Sequence, residues 1–386
     1  MNKEFSMSSQ ASPALPSRQP VATACVQADV RNHIGHLTLS RPAGLNALNL
    51  EMVRTLRHQL DVWSEDEAVY AVVLRGAGDR AFCAGGDIRA LYEGWHECRP
   101  DTGAAHEAPH MTFFAEEYAL DQLLHSYRKP VVALMDGLVL GGGMGLAQGA
   151  ELRVVTERSR LGMPETAIGY FPDVGASYFL PRLPGELGTW LALSGELIGA
   201  ADALYCRLAD WAMDSAMLGR LDHMLDHLKW KSTPLKDLQG AMAKVARQHL
   251  PSPPLEQLRP AIDHFFALPD IASMIEQLQQ VTVADTHQWA LDTAERMKRH
   301  SPLSMAVTLE MLRLGRHLPL SACFAMELHL DREWFERGDV LEGVRALIID
   351  KDKKPRWKHA GAQDVSAAEV HGFFSGLEVE PCKISS

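Results

Sequence analysis

Apolar and polar positions run through the first half of this chain with two different periods, and the switches between them predict its elements. Residues 26–30 and 34–39 follow the two-residue period of half-buried strands, and Asn32-His33 between them predicts a hairpin turn. Residues 50–63 then take up helical spacing. Residues 70–75 are a compact apolar strand that ends in the turn Gly76-Ala77-Gly78-Asp79. Residues 100–110 carry Pro, Gly and His without periodicity and predict a loop, after which residues 113–127 read as a helix. Residues 130–135 form a buried strand running into the glycine cluster 141–145, where a new helix opens, and residues 152–156 are the next strand. Repeated strand–turn–helix units of this kind predict an α/β region with much of its sheet covered.

Beyond about residue 215 the character changes. Leu218, Leu221, Met224, Leu225 and Leu228 share one helical face. Pro251, Pro253 and Pro254 punctuate a linker, and residues 284–300, 302–314 and 320–337 are helix-patterned. The expected organisation is an α/β core over residues 23–215 and a helical extension over residues 216–360. Residues 1–22, rich in Ser, Pro, Ala and Gln and without an apolar signal-peptide segment, predict a flexible N-terminal tail; residues 361–386 predict a C-terminal one. No repeat of solenoid period is present.

Composition narrows the classes of function. The chain has 386 residues, 46% hydrophobic and 23% charged, which suffices for a sizeable core without disulfides or a structural metal. Thirty-eight basic against 49 acidic residues give a formal charge of −11, which argues against nucleic-acid coating and polybasic membrane anchoring. No run of 18 apolar residues predicts a membrane span. Cys25, Cys83, Cys98, Cys206, Cys323 and Cys382 are scattered, which reads as reduced thiols and predicts a cytoplasmic protein.

Several motifs carry candidate chemistry. His106-Glu107-Ala108-Pro109-His110 matches a zinc-protease string, but Pro109 interrupts the helix that would bring both histidines to one metal, so solvated loop histidines are expected. Ser177 lies in Gly175-Ala176-Ser177-Tyr178, which is no serine-hydrolase elbow. Gly141-Gly142-Gly143-Met144-Gly145 follows a strand and opens a helix. It fits neither a dinucleotide fingerprint nor a P-loop, and it serves either close packing or an oxyanion pocket of exposed N–H groups. Ala84-Gly85-Gly86-Asp87 is a second such turn, with Asp87 placed to cap the helix after it; together the two turns could offer one N–H each to a developing oxyanion. The segment 163–175 carries Glu165 and Asp173 in apolar surroundings. Gly169 and Pro172 between them exclude a one-face helical pair, so they act either as capping acids or, brought together by a chain reversal, as a partly desolvated acid–base pair. The run Lys351, Lys353, Lys354, Arg356 and Lys358 is either a solvated tail or a phosphate contact.

From about residue 24 to 215 the chain resembles the crotonase (enoyl-CoA hydratase/isomerase) superfamily. The likeness rests on Arg41-Pro42 with Asn46-Ala47-Leu48-Asn49, on residues 82–88 and on the 141–145 glycines. To about residue 360 it is most similar to the 3-hydroxyisobutyryl-CoA hydrolase branch. Three stretches carry that closer likeness: Phe114-Ala115-Glu116-Glu117-Tyr118, residues 163–182, and Glu342-Gly343-Val344-Arg345-Ala346 with Ile349-Asp350-Lys351-Asp352. The resemblance implies a spiral core of ββα units that binds an acyl-CoA, with Gly86 and Gly142 N–H groups as the oxyanion hole. It implies that Glu117, Gly142, Glu165 and Asp173 line the acyl site, and that the 43–45 loop with Leu45 and the Ala84–Asp87 turn contact the CoA portion.

One departure bears on the reaction. Hydratases of this superfamily use a second glutamate three residues after the oxyanion glycine, where this chain has Gly145. A smaller one, Ala176-Ser177 in place of glycines, alters the acyl pocket. The expected activity is thioester hydrolysis of a short branched β-hydroxyacyl-CoA to CoA and the free acid, in valine breakdown. Glu165 would be nucleophile or general base, and Asp173 would orient the substrate hydroxyl or the water. CoA enters as part of the substrate, and no metal or redox cofactor is expected. A hydratase or isomerase and a non-catalytic acyl-CoA-binding scaffold are the alternatives; a homo-oligomer is possible.

Overall fold

The computed structural model describes residues 21–22, 25–97 and 109–377. Residues 1–20 of the expected N-terminal tail, Cys98, Cys382 and the His106-Glu107-Ala108 part of the histidine string lie outside the described residues, whereas Val21–Ala22, expected in that tail, is a strand paired with the one after it. Strands Val26–Arg31 and Ile34–Leu39 pair antiparallel from Val26 opposite Leu39 to Arg31 opposite Ile34. Their turn is the one expected: Asn32 (φ 44°) and His33 (φ 66°) are both left-handed, which matches the twist of the flanking strands.

From that hairpin a seven-stranded sheet grows in the order Val21–Ala22, Val26–Arg31, Ile34–Leu39, Ala71–Gly76, Val131–Met135, Leu152–Val155, Trp211–Ala212. Every pairing after the hairpin is parallel. Three of these strands are each followed by a short strand of a second sheet: Ala81–Cys83, Leu138–Leu140 and Arg160–Gly162, also parallel. Each turn of the chain thus adds one strand to each sheet, which is the spiral of ββα units. The glycine turns lie where the second-sheet strands Ala81–Cys83 and Leu138–Leu140 end and the next helices begin.

The large sheet is buried on both faces, so its strands are nearly continuous apolar runs whose alternate residues enter different cores. Val72 and Leu74 face one core with Leu37, Val131 and Ala133; Ala71 and Val73 face the other with Ile34, Val132 and Leu134. The first face is covered by helices Leu50–Glu65 and Pro109–His125, the second by Leu218–Asp226 and Pro234–Met242. The face expected from Leu218 to Leu228 is the seat on that second core, with Leu221 and Leu225 fully buried.

The helical region does not act as one block. Residues 213–245 close the far face, whereas helices Pro302–Gly315 and Leu320–Arg337 join the first core and cover it within the same chain. The C-terminal tail expected from residue 361 is corrected: Ala367–Phe373 is a helix capped by Ser366, and Val370 and Phe373 are buried, Phe373 against Trp334. Two apolar residues three apart anchor it, a signal too sparse to stand out in polar surroundings.

The helix Val340–Val344 lies directly on the 165–168 turn. A Cβ on Gly343 would come within 2.0 Å of the Ile168 carbonyl oxygen. Gly343→Ala is therefore expected to cost about 1–3 kcal/mol by overpacking and to displace Glu165 as well. A lower melting temperature together with reduced turnover would show it, and unchanged values of both would refute it.

Candidate active site

Between the two glycine turns, helix Pro109–His125 and the 164–173 segment lies a cavity with about 170 Å³ of solvent-sized space. Gly86, Gly142, Glu117, Glu165 and Asp173 all line it, together with Ala84 and an apolar wall that includes Phe113 and Phe114. Leu48 bridges to the first turn by donating its N–H to the Gly85 carbonyl and accepting from the Asp87 N–H. In a parallel bridge the middle residue points away, so the Gly86 N–H is left out of that pairing. Gly142 is the first residue of helix Gly142–Gln148, whose leading N–H groups have no partner within the helix. Both N–H groups are thus available to an oxyanion in the cavity.

The glycines are required by close approach. Gly141 is left-handed (φ 48°), and a Cβ there would stand 2.9 Å from Glu165 Oε1. A Cβ on Gly142 would stand 2.3 Å from Glu117 Oε1. Gly141 and Gly142 therefore each have a carboxylate directly above them. Glu165 reaches this place because it opens the short 3-10 turn Glu165–Ile168, which ends at left-handed Gly169 (φ 70°). Beyond it the chain reverses, and Asp173 returns to the same cavity. The two acids are brought together, as one of the two sequence readings required.

Glu165 is 7% exposed and Asp173 5%. Burial, followed by the charge of Asp173, holds Glu165 well above the usual carboxylate range. Among the described residues Glu165 Oε2 has no hydrogen-bond partner. Burial pushes Asp173 up to about 7, and Tyr118 limits the rise by donating its hydroxyl to Asp173 Oδ2 at 2.9 Å. An unpartnered carboxylate oxygen beside two free N–H groups can attack an acyl carbon or take a proton from water.

Sequence reasoning missed Tyr118, Asp121, Tyr170, Glu327 and Asp331. Asp121 lies one turn after Glu117, fully buried, and neither of its oxygens finds a partner among the described residues. It fills the space under Gly145, where a Cβ would meet Asp121 Oδ2 at 2.6 Å and Val174 Cβ at 2.7 Å. Tyr170 donates its hydroxyl to buried Asp331. The available signal was the i, i+4 pairing of acids within apolar helices, 117 with 121 and 327 with 331.

Burial, reinforced by Asp173, raises Asp121 well above its ordinary value, so the folded chain holds a proton that the unfolded chain releases. For such a group the native state binds more protons, and its contribution to stability is present at low pH and lost as pH rises. Asp121→Asn should therefore melt above the parent at about pH 8 and close to it at about pH 4, near the ordinary carboxyl value of the unfolded chain. Calorimetry at both values checks this, and a variant that melts lower at both would refute it.

Other expected residues lie elsewhere. Asp87 caps helix Ile88–Glu97 through the Ala90 N–H (3.3 Å) and pairs with Arg41 at 2.9 Å, so its carboxylate is engaged beside the cavity rather than in it. Leu45 is left-handed (φ 54°) and accepts from the Ala84 N–H at 3.1 Å. It supports the turn without lining the cavity. Pro109 starts a helix, and His110 is buried between Trp95 and Phe335, not solvated as the loop reading held. Among the described residues no group of His, Cys, Asp and Glu could hold a metal ion, and no helix is long and apolar enough to cross a membrane. The basic run follows the turn Arg345–Ile349, where Arg345 pairs with Glu342, Asp350 and Asp352.

A curated relative named "3-hydroxyisobutyryl-CoA hydrolase, mitochondrial" from Danio rerio is 38% identical over 354 residues, 91% of this chain and 89% of the relative. The human protein of the same name is 38% identical over 349 residues, 89% and 86% of the two chains. Among solved structures, one described as a carnitinyl-CoA dehydratase from Mycobacterium thermoresistibile superposes with a TM-score of 0.82 at 32% identity, covering 92% of this chain and 98% of the other. One described as an enoyl-CoA hydratase from Rhodobacter sphaeroides gives 0.80 at 34% identity, covering 91% and 97%. The mitochondrial relatives overturn the cytoplasmic expectation. Scattered thiols report only a reducing environment, which more than one compartment provides. The family profile described as Enoyl-CoA hydratase/isomerase matches residues 34–374, and the chain belongs to that family.

Proposed function

We infer that this protein hydrolyses the thioester of 3-hydroxyisobutyryl-CoA, releasing CoA and the free acid. The observation that carries the reading is the packing at Gly145. A hydration reaction of the usual kind needs a second glutamate there, and the space a side chain would enter is filled by Asp121 and Val174. What remains at the oxyanion N–H groups is Glu165 with Asp173, a pair suited to acyl transfer. The curated relatives bearing the hydrolase name support the same choice.

The thioester carbonyl oxygen sits between the N–H groups of Gly86 and Gly142, which stabilise the negative charge that forms on attack. Glu165 either attacks the carbonyl carbon, expelling the CoA thiolate and leaving an anhydride that water opens, or removes a proton from the attacking water. Asp173 accepts a hydrogen bond from the substrate hydroxyl or the water, and Glu117 shapes the acyl end. Ala84 supports the turn along which the CoA portion enters. This chemistry asks for no metal or redox cofactor, and valine breakdown is the setting it fits.

The hydratase reading is favoured by the names of the two solved structures. Thiol release from a panel of acyl-CoAs, with crotonyl-CoA hydration followed in parallel, separates the two. CoA release without hydration is the expected result; hydration without CoA release refutes the hydrolase. Tight binding without turnover of either kind would leave a scaffold.

A further inference from the structure

Asp173 is followed by two left-handed residues, Val174 (φ 54°) and Gly175 (φ 87°). Glycine takes that conformation freely, but a β-branched residue does so only where its surroundings hold it. What holds it comes from the helical extension. Glu327, fully buried on helix Leu320–Arg337, accepts the Gly175 N–H on Oε2 at 2.7 Å. Its Oε1 accepts the Ser177 N–H at 2.9 Å and the Ser177 hydroxyl at 2.5 Å. One turn earlier on the same helix, the Phe324 ring lies where a Cβ on Gly175 would come within 3.0 Å, which closes the turn from the other side. Glu327 does not line the cavity.

We propose that Glu327 is a positioning residue for the reaction, clamping the strained Val174–Gly175 turn so that the Asp173 carboxylate stays in the cavity and on the Tyr118 hydroxyl. The proposal rests on the functional reading of Asp173. A carboxyl group suits the task because its two oxygens take three donors from one short stretch of chain, where an amide has only one acceptor oxygen. It also explains how a helix remote in sequence belongs to the site: Glu327 lies about 150 residues from the turn it holds. Burial pushes the Glu327 carboxyl up to about 8, with the three donors opposing the rise. The titratable groups facing Asp173 are Glu117, Tyr118 and Asp121 from helix Pro109–His125, Glu165 and Tyr170 from its own segment, and Glu327 and Asp331 from helix Leu320–Arg337.

Glu327→Gln keeps the side-chain shape but turns an NH2 group toward one of the donors. Turnover should fall about 10–100-fold with KM within about 3-fold, the scale of leaving a buried donor unpaired. The acid limb of kcat/KM should move up by about half a pH unit or more, because an Asp173 that slips from Tyr118 loses the donor favouring its ionised form. A role confined to stability would lower the melting temperature and leave the limb in place. Should Glu327→Gln fail to fold, Ser177→Ala removes one donor of the three and should give a smaller change of the same sign. A double-mutant cycle with Val174→Gly adds a further check: glycine relieves the strain, so the effects of the two substitutions should be less than additive. Wild-type kcat in the folded variants, or a kcat loss with an unmoved acid limb, overturns the proposal. Asp173→Asn separates the two levels. Wild-type turnover in Asp173→Asn removes the underlying reading, whereas loss there with an unaffected Glu327→Gln removes only the clamp.

Discussion

Replacing Glu165 by glutamine should lower CoA release by about 10³-fold or more, the range seen when the nucleophile or base of a hydrolase is removed. Binding of free CoA should stay close to the parent value, since Glu165 meets the acyl end and the substitution preserves its volume. The expectation follows from the geometry. Glu165 Oε1 lies over Gly141, Oε2 has no partner among the described residues, and the side chain is buried in the cavity wall. Burial and the Asp173 charge destabilise its ionised form, which sharpens its drive to attack or to take a proton. A thiol-release assay beside calorimetric CoA titration checks both halves. Turnover like that of the parent would show that the attacking group or base is elsewhere.

The second large effect concerns Asp173 and pH. Its carboxyl is raised to about 7, so at neutral pH it is divided between acid and anion. If the anion is the acceptor that orients hydroxyl or water, kcat/KM rises with pH through about 7 and falls away below it. Asp173→Asn should lose about 10²-fold and flatten that limb. Tyr118→Phe should do something different. It removes the hydrogen bond to the ionised form, so Asp173 ionises less readily and the limb moves to higher pH, by about one unit for a hydrogen bond to a charged group. A profile of Asp173→Asn with the limb intact would assign the titration to another member of the buried acid cluster. Glu165 is the first alternative, since burial followed by the charge of Asp173 lifts it well above the ordinary range and it must be ionised to act.

The site was only partly legible beforehand. Glycine turns show in sequence because their demand is local: left-handed Gly141 and the helix opening at Gly142 need only their own neighbours. Glu165 and Asp173 showed because they lie in one short segment of unusual composition. Tyr118, Asp121, Glu327 and Asp331 did not, because each reads as an ordinary residue of an amphipathic helix until the packing turns it inward. Asp87 and Leu45 were named through the resemblance, as contacts of the CoA portion; beside the cavity, Asp87 is held in a cap and ion pair and Leu45 in a backbone contact.

What the sequence determined by itself was the alternation of strand and helix, the hairpin at Asn32-His33, and the absence of a side chain at Gly145. Each depends on spacing, on backbone conformation at one or two residues, or on residue identity. Only the tertiary structure decided that helix Leu320–Arg337 packs against the turn after Asp173 and that the region after residue 360 carries a packed helix. It alone decided that the vacant position at 145 is filled by Asp121 and Val174. The physical reason is distance along the chain. Contacts between Gly175 and Glu327 or between Trp334 and Phe373 form because the core brings together surfaces whose local patterns carry no record of one another.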